Sequence, residues 1–206
     1  ILDSGLRPHA DLLDNTLPGF DFISDPFVAN DGDGRDADAS DPGDGVSAGA
    51  CGGGLPQEDR YSSWHGTHVA GIAAASANGY GILGVAHGAG LLPVRVLGRC
   101  GGFTSDIVDA IYWAAGLTGP GVPDNPTPAD VINMSLSATV TGSCGQAYAD
   151  AVAAARAAGV AVVTSAGNRA ADATDYAPGN CPGVINVAAV DRNGGRAYYS
   201  NYGAPV

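Results

Sequence analysis

The 206-residue sequence contains no Lys, a single Glu (Glu58) and one Met. Its nine basic residues are all Arg against 21 acidic residues, for a net charge of −12. A surface this poor in cations repels phosphate backbones and anionic headgroups, which excludes nucleic acid and membrane surfaces as main partners. There is no run of 18 apolar residues, so no segment reads as a membrane-spanning helix. The opening Ile1-Leu2-Asp3 has neither a basic region nor an initiator Met and does not read as a signal peptide. No C-x-x-C pair occurs either, which excludes zinc-knuckle and thioredoxin-type readings.

What is abundant is Gly, 32 residues, about twice the ordinary share. Apolar residues make up 45 % and charged residues 15 %, a balance that favours burying a core. The length suits one domain that needs no staple for stability. The acidic residues are almost all Asp, which belongs in loops, caps and cation sites rather than on exposed helix faces. The four widely spaced Cys (Cys51, Cys100, Cys144 and Cys181) imply two disulfides and an oxidising compartment, with three pairings open.

From Leu91 onward the pattern alternates. Leu91–Leu97 reads as a strand, Ser105–Ala115 as a helix, Asp130–Ser135 as a strand and Gly145–Ala158 as an Ala-rich helix stopped by Gly159. Val160–Ser165 and Val184–Val190 are nearly continuous apolar runs of the kind buried on both faces of a sheet. His65–Ala77 is an earlier helix, and Ile1–Asp3 the end of a strand. Another apparent strand precedes Pro205-Val206, so the chain reads as an excerpt of a longer protein. The alternation predicts an α/β fold, a mostly parallel central sheet with helices on both faces. Asn15–Ser63 shows little periodicity and reads as a long loop that needs a disulfide or a metal to hold it.

In such sheets chemistry collects at the carboxyl ends of strands. Asp3-Ser4-Gly5, Ser135-Leu136-Ser137 and Ser165-Ala166-Gly167-Asn168 stand at three of these ends, and His65 opens a helix. A carboxylate and an imidazole from separate elements are the supporting members of a hydrolytic triad. An amide such as Asn168 can donate to an oxyanion, and loss of such a donor costs about 3 kcal/mol.

D-S-G at Asp3, H-G-T-H-V-A-G at His65, I-N-M-S-L at Ile132 and S-A-G-N at Ser165 occur in that order. So do H-A-D-L (His9–Leu12), G-V-A (Gly84–Ala86), P-V-R-V-L and Y-Y-S-N-Y-G (Tyr198–Gly203). Together they strongly resemble the subtilisin-like serine proteases (subtilases), over the whole chain. The resemblance implies a three-layer subtilisin-like fold, incomplete at both ends, with residues 1–206 a partial catalytic domain. The Cys placement and the Asp-rich insert look most like secreted bacterial extracellular members.

That resemblance assigns Asp3 and His65 to the triad and Asn168 to the oxyanion. Ser135-Leu136 would form one edge of the S1 pocket and Ser165-Ala166-Gly167 the other. Gly101-Gly102 would pair with an extended polypeptide substrate. Ser137, where the family has Gly more often, adds a side chain beside S1. The family's G-T-S-M-A-like nucleophile segment does not occur before Val206, so these residues alone are expected to be inactive. Gly45-Val46-Ser47-Ala48-Gly49 matches an esterase elbow but lacks the strand before and the helix after. His65 and His68 lie at i, i+3 without the Glu of the zinc helix signature, so His68 reads as structural.

Asp31 to Asp44 carries Asp31, Asp33, Asp36, Asp38, Asp41 and Asp44 against one Arg35, a density of hard oxygen ligands that favours Ca²⁺. Asp11, in H-A-D-L, matches a calcium-ligating position of many subtilases. The favoured disulfide pairing is Cys51–Cys100 with Cys144–Cys181. The expectation is a secreted, monomeric, calcium-stabilised serine endopeptidase. The alternative is a nucleophile-less pseudoprotease acting as a calcium-dependent binding module.

Overall fold

The computed structural model describes residues 1–117, 119 and 121–206. The chain forms two compact units, Ile1–Ala110 and Ile111–Val206.

In the first unit, β1 (Leu2–Asp3), β2 (Phe20–Asp21) and β3 (Val94–Arg95) make a parallel sheet in the order β1-β3-β2. Leu2 and Phe20 are both in register with Val94. These apolar side chains and their neighbours Phe22, Ile23 and Val96 are buried. The helix α1 (Pro26–Ala29) starts where Asp25 accepts the Phe27 N–H and Pro26 presets the first turn. The helix α2 (His65–Ala74) ends three residues before the Ala77 expected from sequence.

The expected structureless stretch Asn15–Ser63 therefore contains β2 and α1, both too short to leave a period in the sequence. The rest of it is tied down at several points. Leu6 bridges Ser40, Asp21 bridges Asp36 and Val46 bridges Arg60. The Cys51–Cys100 disulfide closes the far end. Arg95 is fully buried, with Asp21, Asp31 and the Ala29 carbonyl as partners, so one guanidinium gathers β2, β3 and the acidic loop.

Helix α3 (Thr104–Ala114) buries Ile107, Ala110, Ile111 and Ala114, an i, i+3, i+4, i+7 stripe. In the second unit, β4 (Val131–Met134), β5 (Ala161–Ser165) and β6 (Ile185–Val187) form a parallel sheet in that order. Helix α4 (Gln146–Ala157) buries Tyr148, Ala151, Val152 and Ala155 at the same spacing. It closes in a Schellman motif, with Val160 N–H on the Ala155 carbonyl and Gly159 at φ 88°. The Cys144–Cys181 disulfide lies in this unit, so both bridges pair as favoured above.

Two expectations fail here. The apolar runs are not buried on both faces, because Ile185 and Val187 are each about half exposed and the same face of β5 is only partly buried. Only the face carrying Ile132, Met134, Val162 and Thr164 is buried, and α4 packs on β5. No regular strand precedes the final residues, only single bridges at Arg196 and Tyr202.

Candidate active site

Strand β1 delivers Asp3 to its carboxyl end, and the turn after it uses Gly5 at φ 94°. A Cβ on Gly5 would lie 2.6 Å from the Ala39 carbonyl oxygen. Across from it, the N-terminus of α2 approaches so closely that a Cβ on Gly66 would lie 2.3 Å from the Gly5 carbonyl oxygen. The small residues of D-S-G and H-G-T-H thus let the two elements touch. His65 Nδ1 is 2.7 Å from Asp3 Oδ1.

The pair is asymmetric. The Asp3 side chain is 1 % exposed and that of His65 46 %. Oδ1 of Asp3 also accepts the Ser4 N–H at 2.7 Å, while Oδ2 is buried without a partner among the described residues. The hydrogen bond to Asp3 raises the His65 pKa above its ordinary value, with burial opposing and the Asp3 and Asp44 charges adding to the rise. With Nδ1–H given to Asp3, Nε2 is the nitrogen left to accept a proton.

Two supports behind the pair were not legible in the sequence. Ser4 Oγ donates to Asp41 Oδ2 at 2.8 Å and accepts the Gly66 N–H at 3.0 Å. Asp41, 2 % exposed, has its pKa raised by burial, against the hydrogen bonds from Ser4 and Gly43. Trp64, just before His65, sits at φ 53°, with the Arg7 guanidinium 4.8 Å from its ring. Motif reading finds His65 but gives no sign of this left-handed residue.

Gly101 closes a tight turn in which it exchanges main-chain hydrogen bonds of 2.9 and 3.1 Å with Gly98, and Gly102 follows it. Arg99 N–H on the Val28 carbonyl and the Cys51–Cys100 bridge anchor that turn. Both glycines are exposed.

In the second unit, β4 and β5 run side by side, so Ser135-Leu136 and Ser165-Ala166-Gly167 emerge as neighbours. A Cβ on Gly167 would be 3.4 Å from Ser137 Oγ, so this hydroxyl lies beside the Ser165-Ala166-Gly167 segment. Asn168 follows, exposed, with its side-chain amide in no hydrogen bond to the described residues.

The acidic loop uses its carboxylates locally. Asp31, Asp36, Asp38 and Asp41 each accept the N–H two residues on, at 3.4, 2.8, 2.9 and 2.7 Å. Asp44 accepts from the Ser63 hydroxyl at 2.7 Å. The Ser40 hydrogen bonds hold the Asp38 pKa below the usual value. Asp31, Asp33, Asp36, Asp38 and Asp41 line one cavity of about 350 Å³, with Arg7. Among the described residues, no three His, Cys, Asp or Glu side chains come together as a metal-binding group. Asp11 lies apart from this loop, 3 % exposed, with Oδ2 accepting the Ile82 N–H at 2.9 Å. Its Oδ1 is buried without a partner among the described residues. His68 is exposed on α2, and Ser47 lies in a loop with neither strand nor helix beside it.

The model of the subtilase family of peptidases matches residues 1–206. The chain is 50 % identical to an extracellular protease of Xanthomonas campestris pv. campestris, over its whole length and 35 % of that relative. It is 47 % identical to an extracellular basic protease of Dichelobacter nodosus, again over its whole length and 34 % of the relative. The chain thus spans about a third of the length of these two relatives. Among solved structures, a protease from Pseudoalteromonas arctica superposes with a TM-score of 0.96 at 57 % identity, over the whole chain and 59 % of the other. A cold-adapted subtilisin-like serine proteinase superposes at 0.69 with 30 % identity, over the whole chain and 59 % of the other. With the family match, the relatives and the superpositions in agreement, this chain belongs to the subtilase family and has its subtilisin-like α/β fold.

Proposed function

We propose that the protein hydrolyses peptide bonds, with Asp3 and His65 as two members of an Asp-His-Ser triad. The observation that carries this reading is the 2.7 Å contact between a buried carboxylate and a half-exposed imidazole. Asp3 fixes the tautomer and stabilises the imidazolium, and Nε2 takes the nucleophile's proton and later returns it to the leaving amine. The nucleophile is assigned to a Ser further along the polypeptide, as no G-T-S-M-A-like segment occurs in these 206 residues. By themselves the 206 residues would show only residual activity.

Asn168 is the oxyanion donor, and its uncommitted amide suits that role. Ser135-Leu136 and Ser165-Ala166-Gly167 receive the P1 side chain, with the Ser137 hydroxyl narrowing the space between them. Gly101-Gly102 pair with the backbone of an extended polypeptide. Action outside the cell fits the two disulfides and the extracellular relatives. No helix among the described residues is long and apolar enough to cross a membrane. No observation favours the nucleophile-less binding module.

For calcium, Asp11 fits best, because its buried, unpartnered oxygen suits a hard cation. The carboxylates of Asp31, Asp33, Asp36, Asp38 and Asp41 around their shared cavity are a second candidate, and Asp44, bonded to Ser63, a weaker one. A cation at either place would stabilise the fold and take no part in the chemistry.

The test uses the full-length polypeptide and a chromogenic peptide amide. His65→Ala should abolish hydrolysis, and a sulfonyl fluoride should inactivate the parent protein. Hydrolysis that survives His65→Ala would overturn the assignment. For calcium, Tm should rise with the ion and fall with chelator, since a ligand of the folded state must raise it.

A further inference from the structure

The loop that carries Asn168 has no regular secondary structure, and the Asn168 side chain has no partner among the described residues. Whatever fixes that amide must therefore act through the backbone on either side of it. One buried side chain does so. Asn201 is 0 % exposed, and its Nδ2 donates to the Ala166 carbonyl at 2.8 Å, before Asn168. Its Oδ1 accepts the N–H of Arg169 at 2.9 Å and of Ala171 at 3.1 Å, after Asn168. Its own N–H donates to the Gly167 carbonyl at 2.9 Å. Gly167 and Asn201 also fit each other sterically. Gly167 has φ 100°, and a Cβ there would come 2.6 Å from Asn201 Nδ2.

Asn201 is in turn well held. Ser200 Oγ accepts the Ala189 N–H at 2.9 Å, and Tyr202 N–H donates to the Ala171 carbonyl at 3.1 Å. The clamp needs a donor and an acceptor on one short side chain, which an amide has and a carboxylate lacks.

We propose that Asn201 is a positioning residue for the oxyanion donor, gripping the chain on both sides of Asn168 so that its free amide presents one orientation. The inference rests on the reading of Asn168 given above. A donor held by its backbone needs no reorganisation when charge develops on the substrate oxygen, and that is the source of its effect. A displacement of about 1 Å is enough to lose about 100-fold in rate.

The experiment compares Asn168→Ala, Asn201→Ala, Asn201→Asp and the Asn168→Ala/Asn201→Ala double variant of the full-length protease. kcat and KM for a peptide amide are measured per active site titrated with a sulfonyl fluoride. Asn168→Ala should lower kcat by about 100- to 1,000-fold with KM little changed. Asn201→Ala should lower kcat by about 10- to 100-fold, also with KM little changed, and Asn201→Asp should lower it less. In the Asn168→Ala background, Asn201→Ala should remove less than about threefold more, because its effect runs through that amide. A peptide boronate, whose tetrahedral adduct puts an oxygen at the oxyanion position, should weaken in step with kcat.

If Asn168→Ala lowers kcat but both Asn201 variants stay within about twofold of the parent, this proposal fails and the Asn168 reading stands. Equal losses in both backgrounds, or a loss carried by KM, overturn it in the same way. If Asn168→Ala leaves kcat unchanged, the Asn168 reading falls and this proposal with it. If neither Asn201 variant yields titratable sites, Asn201 belongs to stability alone and the proposal is overturned.

Discussion

In Ile111–Val206 the buried positions recur with the period of their element: every third or fourth residue in α4, every second in β4 and β5. In Ile1–Ala110 the strands are two residues long, and much of the order between them comes from polar side chains bonded to nearby backbone. Asp21, Asp25, Asp31, Asp36, Asp38 and Asp41 all accept the N–H two residues on. Among the described residues of the second unit, Asp172 and Asp191 alone do so. A Glu has one methylene too many for this short ring, which gives the excess of Asp over Glu a local cause. The first unit thus adds many directed bonds and a buried charge to its apolar core, whereas the second shows its apolar packing more regularly.

The largest expected effect tests the charge at the catalytic pair. Asp3→Asn should lower kcat by about 10⁴-fold, read from steady-state kinetics of the full-length protein. As the proposed base, His65 would act only when neutral, and the Asp3 hydrogen bond raises its pKa above the ordinary histidine value. kcat/KM should therefore fall as pH drops through that raised value, and Asp3→Asn should move the acidic limb down. An unmoved limb would mean that another group sets it.

Two substitutions then set the units against each other. Arg95→Ala leaves Asp21 buried without its cation and should cost about 3–5 kcal/mol in denaturant unfolding. Ile132→Ala, at a 1 % exposed position in β4, should cost about 2–5 kcal/mol through transfer and cavity terms. If Arg95→Ala costs less than about 1 kcal/mol, buried charge does not organise the first unit. The smallest effect is the most discriminating for the loop. Asp38→Ala should cost about 1 kcal/mol as a lost turn acceptor, whereas Asp38→Asn, which keeps an acceptor oxygen, should be nearly neutral. If Asp38→Asn instead removed a calcium-dependent rise in Tm, the carboxylate would be a cation ligand first and a turn residue second.

The same contrast explains what could be read in advance. The elements α3, β4, α4, β5 and β6 were legible to within a few residues at each end, because burial writes a period into sequence. Asp3 and His65 were legible as motifs, and the structure joins them. β2 was not, since two residues hold no period. The Asp41–Ser4–Gly66 chain and the Asn201 clamp were not either. Each joins residues thirty or more positions apart through a few hydrogen bonds, and no local pattern encodes such bonds. S-N-Y-G stood out as a motif, but its work, bracing another loop, needs the fold to be seen.

The Asp41 bridge also bears on loop grafting. The stretch Asn15–Ser63 can be divided by what holds it. Between Val46 and Arg60 it is a hairpin-like excursion fastened by its own bridge and the Cys51–Cys100 link, and its tip is exposed. Between Ala39 and Asp41 it lies against the D-S-G turn and hands a carboxylate to the serine behind the catalytic pair. A chimera that exchanges the outer stretch leaves the catalytic geometry its support. One that exchanges the inner stretch also replaces a support of the proposed catalytic pair.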